Sequence, residues 1–211
     1  MQRGTEFSIR LGANELMNSR LSDSEEALAR LACERLRTPR PHMLIGGLGM
    51  GFTLRAALAL LGPDARVTVA ELVPAVVDWA RGPLAPIFAG CLDDPRVTVE
   101  VVDVGDAIRR RPKAWDAILL DVDNGPDGLT VETNDTLYDH GGLGTARAAL
   151  KDGGVLAVWS SGPDRDFTNR LRRTGLAVEE LRVRARAGGG GGSRHVIWLA
   201  TRGSPRGRPR S

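Results

Sequence analysis

Apolar and polar positions alternate through Phe7, Ser8, Ile9, Arg10 and Leu11, and Gly12, Ala13 and Asn14 then offer a turn into Glu15, Leu16 and Met17. Period-two alternation around a turn predicts a small N-terminal β-hairpin. Ser22 followed by Glu25 has the spacing of a capping box, and Ala27, Leu28, Leu31, Ala32 and Leu36 give the helix it opens one apolar face. Pro39 and Pro41 then break the chain, which sets residues 1–41 apart as a hairpin-and-helix piece ahead of a main domain over 42–202. There the pattern becomes strand–helix alternation. Strands are expected at 43–46, 66–71, 97–102, 116–121 and 155–160, and helices at 52–61, 74–81, 106–111, 140–150 and 166–174. Repeated strand–helix units predict a mostly parallel sheet covered on both faces. The last two apolar segments, 176–187 and 195–201, are joined by five glycines and Ser193. That link is too short for a crossover helix, so the sheet should end in an antiparallel hairpin. The glycine run reads as a loop tip, because no helix follows it. Residues 203–211 are rich in arginine, proline and glycine and read as a disordered basic tail.

The chemistry begins at the first strand of the main domain. Leu44 and Ile45 run into Gly46, Gly47, Leu48, Gly49, Met50 and Gly51, and about twenty residues on the next strand ends in Glu71. Glycines let backbone approach a ligand closely, and an acid at the following strand tip can accept hydrogen bonds from ribose hydroxyls. The dinucleotide spacing Gly-x-Gly-x-x-Gly fails here. Counted from Gly47 the third glycine falls on Phe52, and counted from Gly49 it falls on Leu54. A pyrophosphate is therefore disfavoured and a nucleoside without phosphates, such as a sulfonium nucleoside, fits better. With the terminal hairpin, this makes the expected fold an α/β, methyltransferase-like (Rossmann-like) sheet. Gly46, Gly47, Gly49, Gly51 and Glu71 are the expected nucleoside-binding residues. Asp103, at the carboxyl edge after the third strand, could accept the adenine amino group; Asp106 is a rival for that role but is expected instead to cap the next helix. Asp121 ends the apolar run Ala117, Ile118, Leu119, Leu120. A carboxylate at the open end of a buried strand faces the ligand crevice, so Asp121 is a candidate catalytic residue, with Asp123 assisting. Residues 122–136 then form a polar loop long enough for a lid or substrate wall.

Other features narrow the classes. The chain has 211 residues and 42% hydrophobic content, enough for one sizeable core. No apolar run approaches the roughly 18 residues of a membrane span, and the first residues lack the apolar core of a signal peptide. Cys33 and Cys91 stand apart, outside any metal or redox motif, as reduced thiols of a cytoplasmic protein would. Much of the net charge of +3 sits in the tail, and aromatics are only 4%, which argues against nucleic acid as the main partner. His42, His140 and His195 read as surface or hydrogen-bonding residues without metal-ligand spacing, and the four tryptophans as core.

Over roughly residues 9–201 the chain resembles the spermidine synthase (polyamine aminopropyltransferase) family. The resemblance rests on Gly12, the helix start Glu26, Ala27, Leu28, Ala29, on Gly46 and Gly47 with Thr53, Leu54 and Arg55, on Glu71, on Asp94, Pro95 and Arg96, on Asp103, and on Asp121 with Gly125 and Pro126. It implies a methyltransferase-like domain behind a small N-terminal β-domain, here shortened to about one hairpin. It also implies decarboxylated S-adenosylmethionine as donor, a small amine as acceptor, and a homodimer contacting through the hairpin. Glu71 would hold ribose, Asp103 adenine and Asp121 the attacking amine. The chain departs from the family pattern at several positions. Gly49 or Met50 stands where the family's loop carries an aspartate that holds the donor amine. Glu15 replaces an upstream glutamine, Ser24 a pocket tyrosine, and an Asp-Ser-Ser-Asp-Pro run is compressed to Asp121, Val122, Asp123, Asn124, Gly125, Pro126. A second pocket tyrosine lacks a counterpart after Leu137 and Tyr138. Glu15, Glu25 and Glu26 could supply a replacement acidic wall for a cation, although Glu25 and Glu26 also suit a helix first turn.

Alkyl transfer from a sulfonium requires the acceptor amine unprotonated and aligned at about 3–3.5 Å. An alkyl amine has a pKa of about 10, so a carboxylate must attract the ammonium and take its proton. Two other classes stay open: an S-adenosylmethionine-dependent methyltransferase acting on a small molecule, and a non-catalytic nucleoside-binding module.

Overall fold

Strand β4 (His42–Gly46) shows why the sheet forms: Met43, Leu44 and Ile45 are all buried, as a strand covered on both faces requires. The computed structural model describes residues 2–3, 6–11, 14–19, 22–122, 126, 136–184 and 194–203. The main sheet has seven strands in the order β6-β5-β4-β7-β8-β10-β9. Here β5 is Arg66–Glu71, β6 Val97–Val101, β7 Trp115–Leu120, β8 Leu150–Ser160, β9 Ala177–Arg184 and β10 Arg194–Thr201. The first five of these positions pair in parallel, whereas β10 is antiparallel to both β8 and β9. The expected terminal hairpin is therefore present, and its second strand lies inside the sheet with its first at the edge. The strands observed lie within a few residues of those expected, β8 starting earlier, at Leu150.

Alternation along the strands splits the core in two. Met43, Ile45, Val67, Val69, Ala117, Leu119 and Trp159 pack on the face covered by α1 (Asp23–Cys33) and α2 (Phe52–Leu60). Leu44, Ile118, Leu120, Val158 and Trp198 pack on the other face, under α5 (Val104–Arg109), α6 (His140–Ala149) and α7 (Arg165–Arg173). Trp198, fully buried, donates its indole N–H to Thr168 Oγ1 at 2.9 Å. The connection from β5 to β6 carries α3 (Pro74–Arg81) and the short α4 (Ala85–Phe88). Trp79 departs from the core assignment: α3 buries Val76 and Ala80, and Trp79, on the flank of that stripe, is 42% exposed.

The N-terminal piece is a three-stranded antiparallel sheet, β1 (Gln2–Arg3), β2 (Glu6–Leu11) and β3 (Asn14–Asn18), one short strand more than the expected hairpin. Helix α1 packs on α2 and on the main sheet, burying Leu28, Ala29 and Ala32 in the same core as β4 and β8. This places the start of α1 above the carboxyl ends of the parallel strands. Among the described residues no helix is long and apolar enough to cross a membrane.

Candidate active site

The parallel strands reverse order at β4, which has β5 on one side and β7 on the other. The crevice beyond its carboxyl end is where such sheets bind ligands. The sequence enters that crevice through Gly46 and Gly47. Gly47 donates its N–H to Ala70 O at 2.9 Å, and Asp121 donates its backbone N–H to Gly46 O at 3.0 Å, so the loop is clamped between the two flanking strands. Gly47 has φ +88°, and a Cβ there would lie 2.4 Å from the Asp121 carbonyl oxygen. Gly51, at φ +77°, precedes α2, and a Cβ on it would meet the Phe88 ring at 2.5 Å. These glycines are required by the protein's own packing, before any ligand is considered.

Glu71 is buried, and each of its oxygens already has a partner. Oε2 accepts the Leu48 N–H and Oε1 accepts the Val73 N–H, both at 2.8 Å. The carboxylate thus braces the glycine loop against the exit of β5. A carboxylate has about four lone-pair sites, so the remaining ones can still receive ribose hydroxyls. Asp103, not Asp106, is the N-cap of α5: its Oδ1 accepts the Asp106 N–H at 3.1 Å. Asp106 is instead ion-paired with Arg109. Asp103, Leu72, Gly105, Ile108 and Leu137 line a cavity of about 650 Å³, within the range of small-molecule sites. A Cβ at Gly105 would stand 2.9 Å from Asp103 Oδ1, so the bare backbone leaves that carboxylate its place. Half-exposed Leu72 offers an apolar surface to a base, and the donor set as a whole fits a nucleoside.

Asp121 follows the phase of Ala117 and Leu119 and so turns toward α1 and α2. Thr53, in the first turn of α2, donates its hydroxyl to Asp121 Oδ2 at 2.6 Å. Burial pushes the Asp121 carboxyl up to about 7, the Glu25 charge adds to the push, and the Thr53 hydroxyl partly opposes it. Glu25 itself is raised, mainly by burial. Ser22 makes no side-chain cap, so the expected capping box does not form; Glu25 instead accepts the Ser24 hydroxyl at 2.7 Å on Oε2. Ser24 Oγ also lies 3.0 Å from His195 Nδ1, and the His195 ring meets Trp159 edge-on at 4.8 Å. His195 is held below the ordinary histidine value by burial. Asp123 and the Glu15 side chain lie outside the described residues, as does most of the 122–136 loop. Gly49 has φ +49° in the same loop. Among the described residues no group of three His, Cys, Asp or Glu side chains could hold a metal ion.

Sequence comparison finds curated relatives of one kind. A curated polyamine aminopropyltransferase of Corynebacterium efficiens is 38% identical over 132 residues, covering 58% of this chain and 23% of the relative. One from Mycobacterium tuberculosis is 32% identical over 153 residues, covering 68% of this chain and 28% of the relative. The chain is similar in sequence to polyamine aminopropyltransferases. It spans about a quarter of the length of these two proteins. No family model matches it. Solved structures agree on the fold. A spermidine synthase in complex with the transition-state analogue AdoDATO superposes with a TM-score of 0.71 at 19% identity, covering 90% of this chain and 63% of that one. Human methyltransferase-like protein 13 in complex with SAH gives 0.60 at 19% identity, covering 90% and 86%. The chain thus has the methyltransferase-like, Rossmann-like sheet expected of it. Sequence reasoning missed Thr53 as the partner of Asp121, and the meeting of Ser24 with His195. Thr53 carried a signal as the third residue after Met50 in the loop–helix junction; Ser24 and His195 carried none.

Proposed function

We propose that this chain is a spermidine-synthase-like transferase that moves an aminopropyl group from decarboxylated S-adenosylmethionine onto a small amine. The observation that carries the reading is the electrostatic coupling of Asp121 to Glu25, two half-buried carboxyls beside a glycine loop braced by Glu71. In this reading Gly46, Gly47, Gly49, Gly51 and Glu71 bind the ribose side of the donor and Asp103 its adenine. Asp121 and Glu25 attract the acceptor ammonium, and Asp121, held near neutrality, is matched to take a proton at neutral pH. The freed nitrogen lone pair then forms the N–C bond as the C–S bond breaks and its electrons stay on sulfur. Asp123 assists from the loop that follows. The relatives named as polyamine aminopropyltransferases support this class of reaction, and the two free cysteines suit a reduced, cytoplasmic setting. The family likeness also supports a homodimer through the β1–β3 sheet.

A second reading has its own support. Gly49 and Met50 put no acid where the family loop has one, which leaves room for the carboxylate of intact S-adenosylmethionine and hence for a small-molecule methyltransferase. Calorimetric titration with both donors, methylthioadenosine and NAD, followed by turnover with putrescine, separates the cases. Tighter binding and turnover with the decarboxylated donor is the expected result. Preference for the intact donor would move the chain to methyl transfer, and nucleoside binding without turnover would make it a non-catalytic module.

A further inference from the structure

Ser24 is 1% exposed, yet its hydroxyl lies between two titratable side chains. It donates to Glu25 Oε2 at 2.7 Å and lies 3.0 Å from His195 Nδ1. The three residues come from opposite ends of the chain, and Glu25 is in electrostatic contact with Asp121. A helix start needing only stability would use Ser22 and Glu25 as caps. Here Glu25 is turned inward, toward Ser24, where burial works against its charge. His195, at the start of β10, is partly exposed, whereas the Ser24 hydroxyl between it and Glu25 is buried.

We propose that Glu25, Ser24 and His195 form a proton-exit relay that carries the acceptor's proton from the Asp121–Glu25 pair to solvent. This role rests on the transferase reading above. Transfer from a sulfonium to an ammonium acceptor releases one proton: the product amine keeps one positive charge, the sulfur loses its own, and the remaining charge leaves as H⁺. The acceptor ammonium gives its proton to the carboxylate pair. Protonated Glu25 then donates to Ser24 Oγ while the Ser24 hydroxyl proton passes to His195 Nδ1, in the tautomer protonated at Nε2. The imidazolium releases its Nε2 proton to water. Burial disfavours that imidazolium, so His195 passes the proton on without storing it. The charged groups acting with Glu25 are Asp23 and Glu26 from its own helix and Asp121 from the end of β7, while the half-buried His195 ring from β10 faces Ser24 beside it.

The test uses the full chain with decarboxylated S-adenosylmethionine and putrescine. Ser24→Ala and His195→Gln should each lower kcat about tenfold or more at neutral pH, within the range of acid–base steps. KM for the amine and Kd for methylthioadenosine should stay within about twofold, which also reports that the variants fold, and Ser24→Thr should restore the rate. With a β-fluorinated amine that is already unprotonated at neutral pH, the Ser24→Ala deficit should largely vanish. A Ser24→Ala enzyme with unchanged kcat, or with the same deficit for both acceptors, overturns the relay and leaves the transferase reading standing. A wild-type protein that turns over neither amine overturns both.

Discussion

Replacing Asp121 by Asn should stabilise the protein, and only above mildly acidic pH. The carboxyl has an ordinary pKa of 3.8 when exposed, and in the fold burial and Glu25 lift it to about 7. Each pKa unit corresponds to about 1.4 kcal/mol, which sets a ceiling of about 4 kcal/mol on the cost of ionising Asp121 in the native state. The sign follows from proton binding. Between about pH 4 and 7 the unfolded chain has lost this proton and the folded chain retains it, so stability falls as pH rises through that window and levels off above the folded pKa. Asn keeps the shape and can accept the Thr53 hydroxyl on its amide oxygen, but it has no proton to lose. Glu25, His42 and His195 titrate in both proteins, so their contributions largely cancel in the difference. The assay is urea unfolding of wild type and Asp121→Asn at pH 4.5, 6 and 8. The expected gap is about 1 kcal/mol at the lowest pH and widens to as much as about 4 kcal/mol at the highest. Parallel pH profiles for the two proteins would refute the view that burial holds this carboxyl protonated. The same substitution should abolish turnover while nucleoside binding persists, the signature of a site that gives up stability for chemistry.

Glu25→Gln removes the second push on Asp121, so the acid limb of the kcat–pH profile should move to lower pH; because burial is the larger cause, it should stay above the ordinary carboxylate range. Glu71→Ala removes two charge-assisted bonds from backbone N–H groups at 2.8 Å, and chemical unfolding should show a loss of about 3–5 kcal/mol, with methylthioadenosine binding lost in calorimetry. Gly47→Ala forces a methyl group to within 2.4 Å of a carbonyl oxygen at a positive φ. Its melting temperature should fall by several degrees and its nucleoside affinity with it, whereas Gly144→Ala, where the space is open, should match wild type.

The parallel part of the sheet was legible because its strands are short apolar runs bounded by turn residues, and the glycine loop and Glu71 because close backbone approach demands those residue types. Asp121 stood out as a charge ending a buried strand. The misreadings share a cause: a local pattern was overruled by a neighbour it cannot see. Ser22 and Glu25 have capping spacing, but Ser24 and the crevice draw Glu25 inward. Asp106 has the composition of a cap, but Asp103 stands one residue before the helix and takes its N–H. Trp79 has the spacing of a core residue, but it stands beside the buried stripe of Val76 and Ala80 and is exposed. Ser24 and His195, 171 residues apart, meet only because α1 crosses over β10.

That last strand carries a consequence for biosynthesis. β10 is not an appendage: it is wedged between β8 and β9, with five consecutive residues from Val196 to Ala200 buried. The ribosome delivers it after every other element of the sheet, so a nascent chain halted before residue 194 holds β8 with an open edge and α1 without its His195 neighbour. Such a truncated product exposes apolar strand surface to chaperones and proteases. Docking of β10 into the sheet and completion of the Ser24–His195 contact are thereby the same event, and a chain halted before residue 194 should be recognised as misfolded.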